Sequence, residues 1–160
     1  MEQIIKYILE SEFEKAYQLL SEVDNEKFWT SDIYLAIEES LTLNFITFIL
    51  YYVDKTKDYS KYRDIEYMLT MNFMCNIDGC YSMAAYYKKK MIELDIFKEE
   101  NLKEILTMTN PNYFPEFKDE YKLEIIDEIL SSDGFSEELK ILAKKENYTG
   151  VNWKEWDYGR

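Results

Sequence analysis

Leu43-Asn44-Phe45-Ile46-Thr47-Phe48-Ile49-Leu50-Tyr51-Tyr52-Val53 is the longest apolar run in the chain, broken only by Asn44 and Thr47. Isoleucine, threonine, phenylalanine and tyrosine favour strands. Yet Phe45, Ile46, Ile49, Leu50 and Val53 recur at helical spacing, as one stripe. The run is too short to cross a bilayer, which takes about 20 apolar residues.

The flanking segments repeat the helical pattern. Ile4, Ile5, Ile8 and Leu9 form a first stripe; Phe13, Ala16, Tyr17, Leu20 and Val23 form a second. Ser11 followed by Glu14 has the spacing of a capping box at the second helix start. Ile33, Ala36, Ile37 and Leu41 follow Ser31-Asp32, a candidate cap. Tyr62, Ile65, Tyr67, Met68 and Leu69 come next. After Asp78-Gly79, Met83, Tyr86, Tyr87, Met91 and Leu94 make a sixth stripe. Leu102, Ile105 and Leu106 make a short seventh. Asn110-Pro111-Asn112 and Pro115 mark a loop, because the residue before proline avoids helical backbone. Phe117, Tyr121, Ile125, Ile129 and Leu130 give an eighth helix, with Gly134 suited to a left-handed residue past its end. Ser136 opens a ninth, with Glu137 and Glu138 in its first turn and Lys144 and Lys145 in its last.

The reading is an all-α chain of eight or nine short helices forming a single domain over 1–160, with an aromatic tail at 149–160 packed on it through Trp153 and Trp156. Leu19–Asp24, Ile49–Asp54, Met91–Asp95 and Ile129–Asp133 resemble one another and end on aspartate. That is the kind of recurrence stacked helical hairpins give. Short amphipathic helices also look alike by chance, so a hairpin stack and an irregular bundle both stay open.

Composition excludes whole classes of function. There are 32 acidic against 19 basic residues, a net charge of -13, and no histidine. Such a chain repels nucleic acid and anionic membrane surfaces. Without histidine it lacks the commonest general base and the commonest metal ligand. No phosphate loop, nucleophile elbow or dinucleotide fingerprint occurs. Cys75 and Cys80 have neither a second pair nor histidine with which to build a zinc site, and read as small buried thiols. Two cysteines and an N-terminus without a signal-peptide pattern predict a reduced, cytoplasmic protein. Glu124-x-x-Asp127 with Glu38-Glu39 faintly echoes all-α nucleotide pyrophosphohydrolases, which hold magnesium on carboxylates; the usual further glutamate after the paired one is missing. The expectation is no catalysis, no cofactor and no metal. Lysine outnumbers arginine 17 to 2, a bias that suggests an AT-rich, bacterial coding sequence.

The charge is concentrated. Residues 2–26 and 116–133 each hold seven acids and two lysines, so the two stretches together carry -10 of the -13. In the second, Glu116, Glu120, Glu124, Asp127 and Glu128 fall along one side of a helix, joined by Asp119, with Phe117, Tyr121, Ile125 and Ile129 turned to a core. In the first, Glu10 and Glu14 are one turn apart. An acidic helix face is often only a solvated face. It can also be a surface that steers a basic partner into place. Tyr51, Tyr52, Tyr86 and Tyr87 would suit such a surface if exposed, because tyrosine is enriched at interfaces.

A short, acidic, helical chain with no catalytic motif resembles the immunity proteins of bacterial polymorphic-toxin and contact-dependent inhibition systems. The likeness covers the chain in character and rests on no diagnostic motif. It implies a stoichiometric inhibitor of a cognate toxin, a basic nuclease, engaged through the acidic residues and the tyrosines just named. A helical-repeat adaptor for a protein or peptide ligand is the competing expectation.

Overall fold

A computed structural model describes residues 1–23, 26–40, 42–70, 77–107, 117 and 119–156, with Asp119 and residues 148–156 described in backbone only. Among these residues the secondary structure is helical: α1 Glu2–Leu9, α2 Phe13–Ser21, α3 Ile33–Ser40, α4 Asn44–Thr56, α5 Tyr62–Thr70, α6 Cys80–Glu93, α7 Lys98–Thr107, α8 Asp119–Ser131 and α9 Glu137–Trp156. No strand occurs among the described residues. The apolar run that favoured strands by composition is α4, because its stripe has a helical neighbour set to bury against. The chain divides into two compact units, Met1–Tyr87 and Lys88–Arg160, with the boundary inside α6.

The first unit is organised by α4. Phe45, Ile46, Phe48, Ile49 and Val53 are buried, while Leu50 of the expected stripe is 36% exposed and Phe48 takes its place. The other four positions of the stripe are buried where the spacing puts them. Phe48 lies in a ring cluster, 6.3 Å from both Phe13 and Phe28 and 6.5 Å from Trp29. Trp29 also meets Tyr52 edge-on at 4.9 Å. Such pairs each add about 0.5–1.5 kcal/mol beyond their buried area.

α1 and α2 form a hairpin that packs on α4. Ile4, Ile8, Ala16 and Leu20 are its buried residues, whereas Leu9 and Val23 stay exposed. Ser11 is not the cap of α2. It adopts a left-handed φ of 60°, Glu12 takes the N-cap position without a side-chain cap bond, and the Ser11 hydroxyl accepts from Asn44 Nδ2 at 3.2 Å. Asp32 is not a cap either, because a π-helical turn, Phe28–Asp32, runs straight into α3. In that wide turn the Ile33 N–H reaches back to the Phe28 carbonyl. Leu41 lies outside the described residues.

α5 buries Ile65, Met68 and Leu69 and leaves Tyr67 45% exposed, edge-on to Tyr34 at 5.3 Å. α6 presents a different face from the one its large apolar residues suggested. Cys80, Ala84, Ala85, Tyr87, Lys88 and Met91 are buried; Met83, Tyr86 and Leu94 are exposed. Gly79, just before it, has φ +83°, the left-handed region that glycine enters freely.

The second unit is built from α7, α8 and α9, with α9 packed on both others. Leu102, Ile105, Leu106, Phe117, Ile125, Ile126, Ile129, Leu139 and Ala143 fill it. Gly134 does not supply a left-handed residue. Ser136 precedes α9 as expected and accepts from the Leu139 N–H at 3.4 Å. Glu99 of α7 reinforces that start, taking the Ser136 N–H at 2.8 Å and its hydroxyl at 2.5 Å. α9 continues to Trp156, so Lys144 and Lys145 are mid-helix residues. The loop expected around Pro111 and Pro115 lies outside the described residues, as do the side chains of Trp153 and Trp156.

Lys88 is a buried cation of this unit, 2% exposed and hydrogen-bonded to Glu104. Of the run Lys88-Lys89-Lys90, Lys90 lies in the last turn of α6, where a cation complements the helix dipole. Lys89 lies over the Tyr121 ring at 4.3 Å.

Candidate functional site

The two acidic stretches, equal in sequence, differ in structure. In the first, Glu10, Glu12 and Glu14 have lysine partners. Lys6 lies 3.9 Å from Glu10, and Lys15 lies 2.7 Å from Glu12. Glu14 receives the Tyr51 hydroxyl, with Gln18 at 3.1 Å and Lys55 at 3.4 Å. The Tyr51 hydrogen bond above all, helped by Gln18 and Lys55, holds the Glu14 carboxyl below the usual glutamate value. Tyr51 is pushed upward in turn. Glu10 and Glu14 are exposed, but their charge is already matched.

The second stretch is different. Ile125, Ile126 and Ile129 bury one side of α8, and that fixes Glu120, Glu124 and Asp127 on the solvent side. None of these three makes an ion pair among the described residues. Glu128 does, with Lys98 at 3.1 Å. Leu123, 38% exposed, sits within the acidic face. Glu116 and the Asp119 side chain lie outside the described residues.

Tyr121, read from sequence as a core residue, is half-buried at the edge of this face. It stacks on Phe117 at 5.6 Å under Lys89. Burial, then Glu128 and Glu124, raise its hydroxyl above the ordinary value, so it stays a hydrogen-bond donor at neutral pH. It is the aromatic that the acidic face carries. The tyrosines singled out from sequence belong to the first unit. Tyr86 is 54% exposed; Tyr51 and Tyr52 are half-buried in the α2–α4 ring cluster. Tyr87 is buried at 8%, against Tyr62 at 5.1 Å, and cannot serve a surface. Its place one turn from Ala84 and Met91 on the buried face of α6 explains this.

One further polar cluster lies in the first unit. The Tyr34 hydroxyl donates to Asp64 at 2.8 Å, and Lys61 lies 3.5 Å from the same carboxylate. Burial raises Asp64 despite both partners. Lys61 also stands 4.4 Å over the Trp29 ring. This arrangement ties α3, α5 and the π-turn together.

Among the described residues, no three histidine, cysteine, aspartate or glutamate side chains gather as a metal site would require. Cys80 is buried and in no disulfide among the described residues, and Cys75 lies outside them. No helix of the described residues is long and apolar enough to cross a membrane. No protein-family model matches the chain, and comparison with curated proteins and with solved structures returns no match.

Proposed function

We propose that the protein is a stoichiometric, immunity-type inhibitor acting in the bacterial cytoplasm, and that it neutralises a basic, nuclease-like toxin through α8. The observation that supports this is the row of Glu120, Glu124 and Asp127, which makes no ion pair among the described residues, set beside Leu123 and Tyr121. Uncompensated like charges at i and i+4 cost a helix a few tenths of a kcal/mol per pair. The first acidic stretch sets Lys6, Lys15 and Lys55 against Glu10, Glu12 and Glu14, whereas on α8 only Glu128 has a lysine partner among the described residues. The row would speed encounter with a positive cleft, while Leu123 and Tyr121 would supply the desolvated contacts that steering alone lacks. The toxin's cleft is positive because its substrate is a polyanion.

The test is capture of partners on the tagged protein, then association rates with the purified partner. A basic partner at one-to-one ratio, whose nuclease activity is lost on binding, is the expected result. Replacing Glu120, Glu124 and Asp127 by lysine lowers the association rate by about tenfold or more at low salt, with the melting temperature kept. An unchanged rate at low salt rejects α8 as the steering surface.

A further inference from the structure

α1, the π-turn and α3 enclose an open groove of about 760 Å³, contained within the first unit. Its apolar lining includes Ile5, Leu9, Leu35 and Ala36. Leu35 of α3 is 59% exposed and Leu9 of α1 41%, so two large aliphatic side chains of the lining stand in water. Neither is needed by the packed interior, which α3 meets through Ile33, Ala36 and Ile37.

The polar side of the groove is unbalanced. Lys6 is engaged with Glu10, and Lys27 with Asp32 Oδ1 at 3.4 Å. Glu2 and Glu39 also line the groove and make no ion pair among the described residues. Asp32 Oδ2 is buried with no hydrogen-bond partner among the described residues, although the ordinary rule is that a buried polar atom has one. The cation beside that carboxylate among the described residues, Lys27, is 76% exposed, so its exchange for another cation costs little. A guanidinium can take both oxygens of a carboxylate at once, which a lysine ammonium cannot. Exposed leucines beside an incompletely partnered carboxylate complement an amphipathic helix with aliphatic residues on one face and an arginine among them.

We infer that the α1–α3 groove docks an arginine-bearing amphipathic helix of a protein partner, its guanidinium displacing Lys27 to pair with Asp32. The surface is separate from the acidic face of α8, and the inference does not depend on the inhibitor reading. The probe is a capped 14-residue helical peptide with leucines at i, i+3 and i+7 and one central arginine, titrated into the 15N-labelled full chain. Expected shifts are confined to residues 1–40. Replacing the peptide arginine by citrulline, or Asp32→Asn, weakens binding by about tenfold. Combining the two costs little more than either alone, the signature of a direct pair. Leu35→Glu, at an exposed position, also abolishes binding and guards against a misfolded Asp32 variant. Four results overturn the inference: shifts centred on 119–131 and erased by Glu120→Lys with Glu124→Lys; independent losses from citrulline and Asp32→Asn; no groove shifts at millimolar peptide; or groove shifts that grow with protein concentration alone, which would make the occupant a second copy.

Discussion

Lys88 and Glu104 allow a quantitative test of how the second unit is held. Lys88 is 2% exposed, and its partner Glu104 is 43% exposed. Opposite charges in contact attract by about 4 kcal/mol at an effective dielectric of about 20. Water reaching the outer half of Glu104 screens part of this and leaves about 2 kcal/mol. Glu104→Gln keeps the shape and removes the charge, so a buried ammonium loses its carboxylate; about 2 kcal/mol of stability is lost. Lys88→Met keeps the aliphatic stem and removes the charge that had to be desolvated. Its effect is within about 1 kcal/mol of zero and can be stabilising, because a buried ion pair often does no better than an apolar replacement. In the Lys88→Met background, Glu104→Gln has almost no effect, which completes a double-mutant cycle. The assay is urea unfolding at 25 °C followed by far-ultraviolet circular dichroism. A loss under about 0.5 kcal/mol for Glu104→Gln, or a larger loss for Lys88→Met than for Glu104→Gln, refutes this account of the pair.

Two further outcomes follow from the geometry. Phe48 is fully buried among Phe13, Phe28 and Trp29, so Phe48→Ala costs about 3–5 kcal/mol by calorimetry; a loss below about 1 kcal/mol would show that the ring cluster is not a packed core. Glu14 and Glu99 both titrate below the ordinary 4.5, through the Tyr51 hydroxyl and the Ser136 donors respectively. A depressed carboxylate stabilises the fold above its unfolded value, and the gain disappears as pH falls through the folded one. The stability advantage of the parent over Glu14→Gln and Glu99→Gln therefore shrinks on acidification below about 4.5, read from unfolding curves between pH 3 and 6; an advantage constant with pH would contradict it.

Helix content was legible in the sequence because the 3.6-residue spacing of Ile, Leu and Phe survives in α1, α4, α7 and α8. The burial of Ile125 and Ile129 and the exposure of Glu120, Glu124 and Asp127 followed from the same spacing. The face of α6 was not legible. Scanning for large apolar residues picks Met83 and Tyr86, but a helix that packs closely buries small ones, and Ala84 and Ala85 turn inward and take Lys88 with them. Local signals failed where a tertiary contact outweighed them. The Ser11 hydroxyl accepts from the Asn44 amide, 33 residues away, and does not cap its own helix. The engagement of Glu14 by the Tyr51 hydroxyl and the Lys55 ammonium from α4 joins residues about 40 apart, and no spacing rule reveals it.

The π-turn has an optical consequence. It places Trp29 against Tyr52 and Phe48 with Lys61 above its face, while the other two tryptophans, Trp153 and Trp156, both belong to α9. The first unit thus carries a single native indole with surroundings unlike bulk water. Replacing Trp153 and Trp156 by phenylalanine turns the protein's emission into a private reporter of residues 1–87. Two independent melting events, or one shared event, can then be told apart by comparing that emission with the circular dichroism of the whole chain.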